Sequence, residues 1–215
     1  MDIVLDSIEV RILGCLIEKE ITTPEYYPLS LHALTNACNQ KSNRGPVLFL
    51  DESEVLKGLD GLRQKGLARE TQTTGSRVAK FLHELLSRFD LSGPETALLC
   101  ELMCRGPQTP GELRLNAGRM AAFKSTDEVE ETLRGMMEHD PSLVSKLQRE
   151  PGKKESRYAQ LFSHETIGEK ARPDPGAAPG APTDEVIARL EDEVARIRKE
   201  LEELKQAFTQ FKSQF

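Results

Sequence analysis

The chain has 215 residues, 38% of them hydrophobic, with a net charge of −6 and a pI near 5.4. That length allows one large domain or two small ones plus a tail, and no apolar run reaches the roughly 18 residues that a membrane helix needs. Segments 1–90, 91–170 and 171–215 each carry −2, so no segment is a basic domain built for nucleic acid, and any DNA contact has to come from a local patch.

Met1 to Asp6 contains neither a basic n-region nor an apolar h-region, and a cytoplasmic protein is expected. The first helix is announced by Asp6 with Glu9 three residues on, a capping box. Ile8, Ile12, Cys15 and Leu16 then follow at helical spacing. A second helix is expected from near Pro28 to about Gln40, with Leu31, Leu34 and Cys38 as its buried line. Its end runs into the amide-rich string NACNQKSNRGPV, residues 36–47. If the helix continues, Asn36, Asn39, Gln40 and Asn43 share one face with Lys41 and Arg44 beside it. Amides contact adenine edges or phosphates and cations contact phosphates, so the stripe reads as a nucleic-acid or partner contact. The other reading is that the amides satisfy backbone groups of a long loop and cap the next helix. The third helix opens at the Asp51/Glu54 box and carries Val55, Leu56, Leu59 and Leu62. A hairpin pattern follows, Leu67–Gln72, then Thr74-Gly75, then Ser76–Leu82.

The pattern then repeats. LSGPETALLCELMCR (91–105) matches LDSIEVRILGCLIEK (5–19), STDEVEETLRGM (125–136) matches DESEVLKGLDGL (51–62), and SRYAQL (156–161) matches SRVAKF (76–81). Further boxes stand at Ser92/Glu95, Thr109/Glu112 and Ser125/Glu128, and Glu150-Pro151-Gly152 turns a second hairpin between Leu143–Arg149 and Ser156–Phe162. Three helices and a hairpin form the winged-helix layout. The expected fold is mainly α with small β-hairpin wings: winged-helix domains over 1–90 and 91–170 and a C-terminal coiled-coil helix. The cap-to-cap span is 12 residues longer in copy one, and this insertion is expected at the junction of its second and third helices.

Residues 171–182 are a Pro/Gly/Ala linker. From 183 to 215 a heptad seam runs unbroken through Ile187, Leu190, Val194, Ile197, Leu201, Leu204, Phe208, Phe211 and Phe215. Glu193 and Glu200 at g meet Arg198 and Lys205 at e in a parallel pair, so a parallel homodimer is expected, against the plainer alternative of one amphipathic helix docking on the body.

Cys15, Cys38, Cys100 and Cys104 form no CxxC pair and read as buried thiols, so no metal and no cofactor are expected. Cys38 is the one tempting nucleophile, yet it ends its helix, where the dipole disfavours a thiolate, and His32 lies about 120° around that helix. A non-enzymatic protein is expected.

The string LSLHALTNACNQKSNRGPV, with ETALLCELMCRGPQTPGELR, resembles the YceH-like family of uncharacterised bacterial proteins over roughly residues 1–165. The resemblance implies two winged helices and no particular activity. The chain departs from the family pattern at Gly45, where that pattern has Asp. Two function classes follow. One is a regulator that binds double-stranded DNA through Lys41, Arg44, Lys57, Arg63 and Lys65, with Arg69 and Arg77 on the wing, and in copy two Arg149, Lys153, Lys154 and Arg157. The other, the alternative, is a protein-interaction scaffold that binds no DNA; overall acidity and the coiled coil point to it, whereas the concentration of basic residues at wing and turn favours the DNA-binding reading.

Overall fold

The structure, a computed structural model, describes residues 3–72 and 78–163. Copy one consists of α1 (Ser7–Thr22), β1 (Leu29–Ser30), α2 (Leu31–Cys38), α3 (Glu52–Gln64), β2 (Ala68–Gln72) and β3 (Ala79–His83). A short α4 (Leu85–Arg88) leads to α5 (Gly93–Arg105), α6 (Pro110–Ala117), α7 (Thr126–Glu138), β4 (Val144–Lys146) and β5 (Tyr158–Gln160). Three helices followed by an antiparallel hairpin therefore occur twice, in a mixed, mainly helical fold. The linker, the heptad segment and Arg77 lie outside the described residues.

The helices start where the sequence supplies an acceptor. Asp6, Asp51, Ser92 and Thr109 form complete reciprocal boxes with Glu9, Glu54, Glu95 and Glu112. The fifth box is half made: Ser125 accepts from the Glu128 N–H, while the Glu128 carboxylate turns to the Lys124 N–H at 2.6 Å.

Helix α2 is shorter than expected at both ends. Leu29 and Ser30 are taken by the sheet, where they pair with Phe81 and Lys80, and Ser30 then caps the helix at the Ala33 N–H. In copy two the bridge between Gln108 and Tyr158 occupies the corresponding place. The extra length of copy one is also spread out: α1 has 16 residues against 13 in α5, and both connections flanking α2 are longer than those flanking α6. The expected stripe on α3 holds for Val55, Leu59 and Leu62, but Leu56 is 40% exposed.

One hydrophobic core runs through both copies. At its centre α1 lies against α2 and α3 on one side and α5 on the other, which is why every residue from Glu9 to Glu18 is buried. Contact with α5 is close because position 14 has no side chain: a Cβ there would stand 2.9 Å from both Cys104 Sγ and Met103 Cβ. Among the described residues no helix is long and apolar enough to cross a membrane. We expect Gly14→Val to lower stability by about 1–3 kcal/mol through overpacking of this contact, read as a lower urea midpoint with an unchanged slope.

Candidate functional site

The amide-rich stretch does not form a helical face. Helix α2 ends at Cys38, and Asn43 has φ of 58°, a left-handed conformation that Asn tolerates and a helix does not contain. The amides of the stretch and Arg44 then find their own partners. Asn39 Nδ2 donates to the Leu50 carbonyl at 2.7 Å and its Oδ1 accepts from the Leu50 N–H at 2.8 Å. Gln40 Oε1 accepts from Arg44, Asn43 Oδ1 accepts from Arg105 Nη2 on α5, and exposed Asn36 pairs with His32.

Arg44, expected at the surface, is buried with no side-chain exposure. All five guanidinium N–H groups are used: Nε donates to the Ala37 carbonyl, Nη1 to Glu18 Oε1 (3.0 Å) and the Asn43 carbonyl, and Nη2 to Glu18 Oε2 (2.5 Å) and Gln40. Glu18 is itself fully buried and takes a second cation from copy two, Arg119 Nη2 at 2.6 Å. That same nitrogen is 2.8 Å from Glu101 on α5, whose other oxygen faces Arg105 Nε at 3.1 Å. Two carboxylates and three arginines thus form a chain across the seam between the copies. Arg11 extends it, donating to the carbonyls of Cys38 (3.2 Å) and Pro46 (2.7 Å).

The two carboxylates are tuned in opposite directions. Burial pushes the Glu18 carboxyl up, but the hydrogen bonds and charge of Arg44, with Arg119, overcome it and hold the group at about 2. Burial prevails at Glu101 and holds it above the ordinary carboxylate range despite Arg119. The four thiols lie beside this chain, all buried as expected, and burial pushes the Cys15 thiol well above its usual value. A protonated thiol in that setting is a packing group. Among the described residues no group of His, Cys, Asp and Glu is placed to hold a metal.

Four other cations of the expected contact set are also engaged within the protein. Lys65 Nζ lies 2.5 Å from Glu9, Arg63 faces Asp60 (3.1 Å) and Glu70 (3.5 Å), and Arg69 meets Glu84 at 2.6 Å. A surface cavity of about 680 Å³ between α3 and β2 is lined by Arg63 and Arg69 and the carboxylates that hold them. In copy two Arg157 is held by Glu112 at 2.9 Å. Lys41 and Lys57 are exposed, as are Arg149, Lys153 and Lys154 at the second hairpin.

Residues 5–153 match the family described as "Protein of unknown function, DUF480". A UPF0502 protein of Geotalea uraniireducens is 53% identical over 198 residues, covering 90% of each chain. One from Pelobacter propionicus is 50% identical over 220 residues, covering all of both. A third, from Citrifermentans bemidjiense, is 54% identical over 196 residues, covering 91% of this chain and 90% of its own. The chain belongs to this bacterial family.

Sequence reading missed Glu18, Glu101, Arg119 and Arg11 as a set. A signal was present: Glu101 sits inside the apolar run LLCELMC, where an unpaired charge is costly.

Two predictions follow from the seam. Glu18→Gln leaves the buried Arg44 charge without its counter-ion and is expected to cost about 3–5 kcal/mol at pH 7. Because the Glu18 pKa is depressed from 4.5 to about 2, its contribution is complete above the unfolded value and is lost as pH falls through the folded one. Denaturation curves between pH 7 and 2 should show that acid limb in the wild type and a flatter one in Glu18→Gln. Asn39→Ala removes both bonds to Leu50 and is expected to cost about 1–3 kcal/mol, with Lys41→Ala as the neutral control in thermal melts.

Proposed function

We propose that the chain is a non-enzymatic protein-interaction module made of two tandem winged helices and a C-terminal parallel coiled coil that pairs two copies. The single observation that carries this reading is the internal pairing of four of the cations that a DNA-binding winged helix would present at copy one. Arg44 is buried on Glu18, and Arg63, Lys65 and Arg69 each face a carboxylate of the same chain. A cation already held by a carboxylate contributes little to counter-ion release from phosphate.

The helices that would enter a major groove support the same conclusion. Helix α3 exposes Glu52, Glu54 and Asp60 against Lys57 and Arg63, and α7 exposes Asp127, Glu130, Glu131 and Glu138 against Arg134. Both outward faces are net acidic and would be repelled by a phosphate backbone. The non-enzymatic part rests on the burial of all four thiols and on the mutual neutralisation of charges in the α3–β2 cavity.

Titrating the full chain against a labelled random-sequence duplex between about 50 and 200 mM salt tests the reading. The expected result is weak binding with a shallow dependence of log K on log salt. A slope equivalent to about six or more phosphate contacts would make the protein a DNA binder and overturn it.

A further inference from the structure

The loop that closes the seam has a second side. Gly45 N–H donates to the Cys104 carbonyl at 3.0 Å, Arg11 holds the Pro46 carbonyl, and Asn39 holds both backbone groups of Leu50. Between these anchors the N–H and C=O groups of Val47, Leu48 and Phe49 make no hydrogen bond to any described residue. The chain runs from Val47 to Asp51 without turn or bend. Its side chains alternate. Val47 and Phe49 point outward, 38% and 84% exposed, whereas Leu48 and Leu50 are half-buried and Leu50 packs on the core. A period of two with free main-chain groups is the signature of a strand that lacks its neighbour. Folded proteins usually blunt such an edge with charged side chains, yet the outward residues here are Val and Phe.

We propose that Val47–Phe49 is a docking edge for an extended partner peptide, which pairs its main chain with the edge and covers Phe49 with an apolar side chain flanked by Lys or Arg. Charge selects this occupant. The edge leads directly into Asp51, Glu52 and Glu54, all exposed, with Leu56 exposed one turn further on. A second copy would bring the same carboxylates against themselves, and the chain as a whole carries −6. Asp51 and Glu54 keep their negative charge within the capping box and Glu52 keeps its own beside His32, so a basic, apolar peptide complements the charge of this end and covers the bare ring. The proposal rests on the protein-interaction reading and names the surface and the partner chemistry for it.

The test pans a random peptide library displayed on phage against the immobilised full chain, then measures the enriched sequences as fluorescein-labelled synthetic peptides. Enriched sequences are expected to alternate apolar residues with Lys or Arg. Phe49→Ala, at an exposed position, is expected to weaken them by about tenfold or more without moving the unfolding midpoint. N-methylation of alternate peptide amides, which removes main-chain donors and keeps the side chains, is expected to abolish binding. No enrichment, acidic winners, or affinities that Phe49→Ala and N-methylation leave within about twofold would overturn the edge and leave the interaction reading standing. Self-association of the chain that Phe49→Ala dissolves would assign the edge to a second copy and overturn the peptide. Displacement of every enriched peptide by duplex DNA would count against the interaction reading itself.

Discussion

Burial of the Glu18 carboxylate is the constraint around which the molecule is arranged. A buried anion is tolerated only with its charge and lone pairs satisfied, and here that takes Arg44 from the α2–α3 connection and Arg119 from the other copy. Bringing Arg44 inward requires α2 to stop at Cys38 and Asn43 to take its left-handed turn. It also lays the chain against α5 at Gly45, where a Cβ would approach the Arg105 carbonyl to 2.7 Å. Gly45 thus marks a point of backbone contact between the copies. A network of this kind is weak as a source of net stability. What it ties together is one copy and the other, since Arg119 reaches both carboxylates at once.

What was legible in the sequence was local. Four capping boxes and the apolar stripes of α1 and α3 could be read because cap and stripe are set within a few residues of each other. The duplicated order of elements was legible for the same reason, repeated twice. The connection after α2 was misread because Arg44 and Glu18 are 26 residues apart and Arg119 belongs to the other copy. No periodicity links them, and an arginine in an Asn-rich string looks like a surface cation until its partner is placed. Asn39, by contrast, does what a loop-supporting amide does, and Leu56 shows how a helical stripe can include a residue that the fold leaves outside.

The α2–α3 connection also reverses the usual distribution of polarity. Its Asn39, Asn43 and Arg44 turn toward protein groups, while Val47 and Phe49 face outward. Polar side chains go in because the seam offers them carbonyls and a carboxylate. Apolar ones come out because the backbone, anchored at Pro46 and Leu50, has no freedom to turn them. Support of the fold and presentation of a surface are therefore assigned to alternate parts of one loop, so substitutions on its outer side can be made without disturbing its inner side.

The aligned blocks set Cys15 opposite Glu101 and Glu18 opposite Cys104, so each copy has one thiol and one carboxylate at these two places, in opposite order. With the charges divided this way, the first copy on its own would keep Arg44 for Glu18 but lose Arg119, and the second would lose Asn43 as the acceptor of Arg105. Each half thus completes charged groups that the other leaves open.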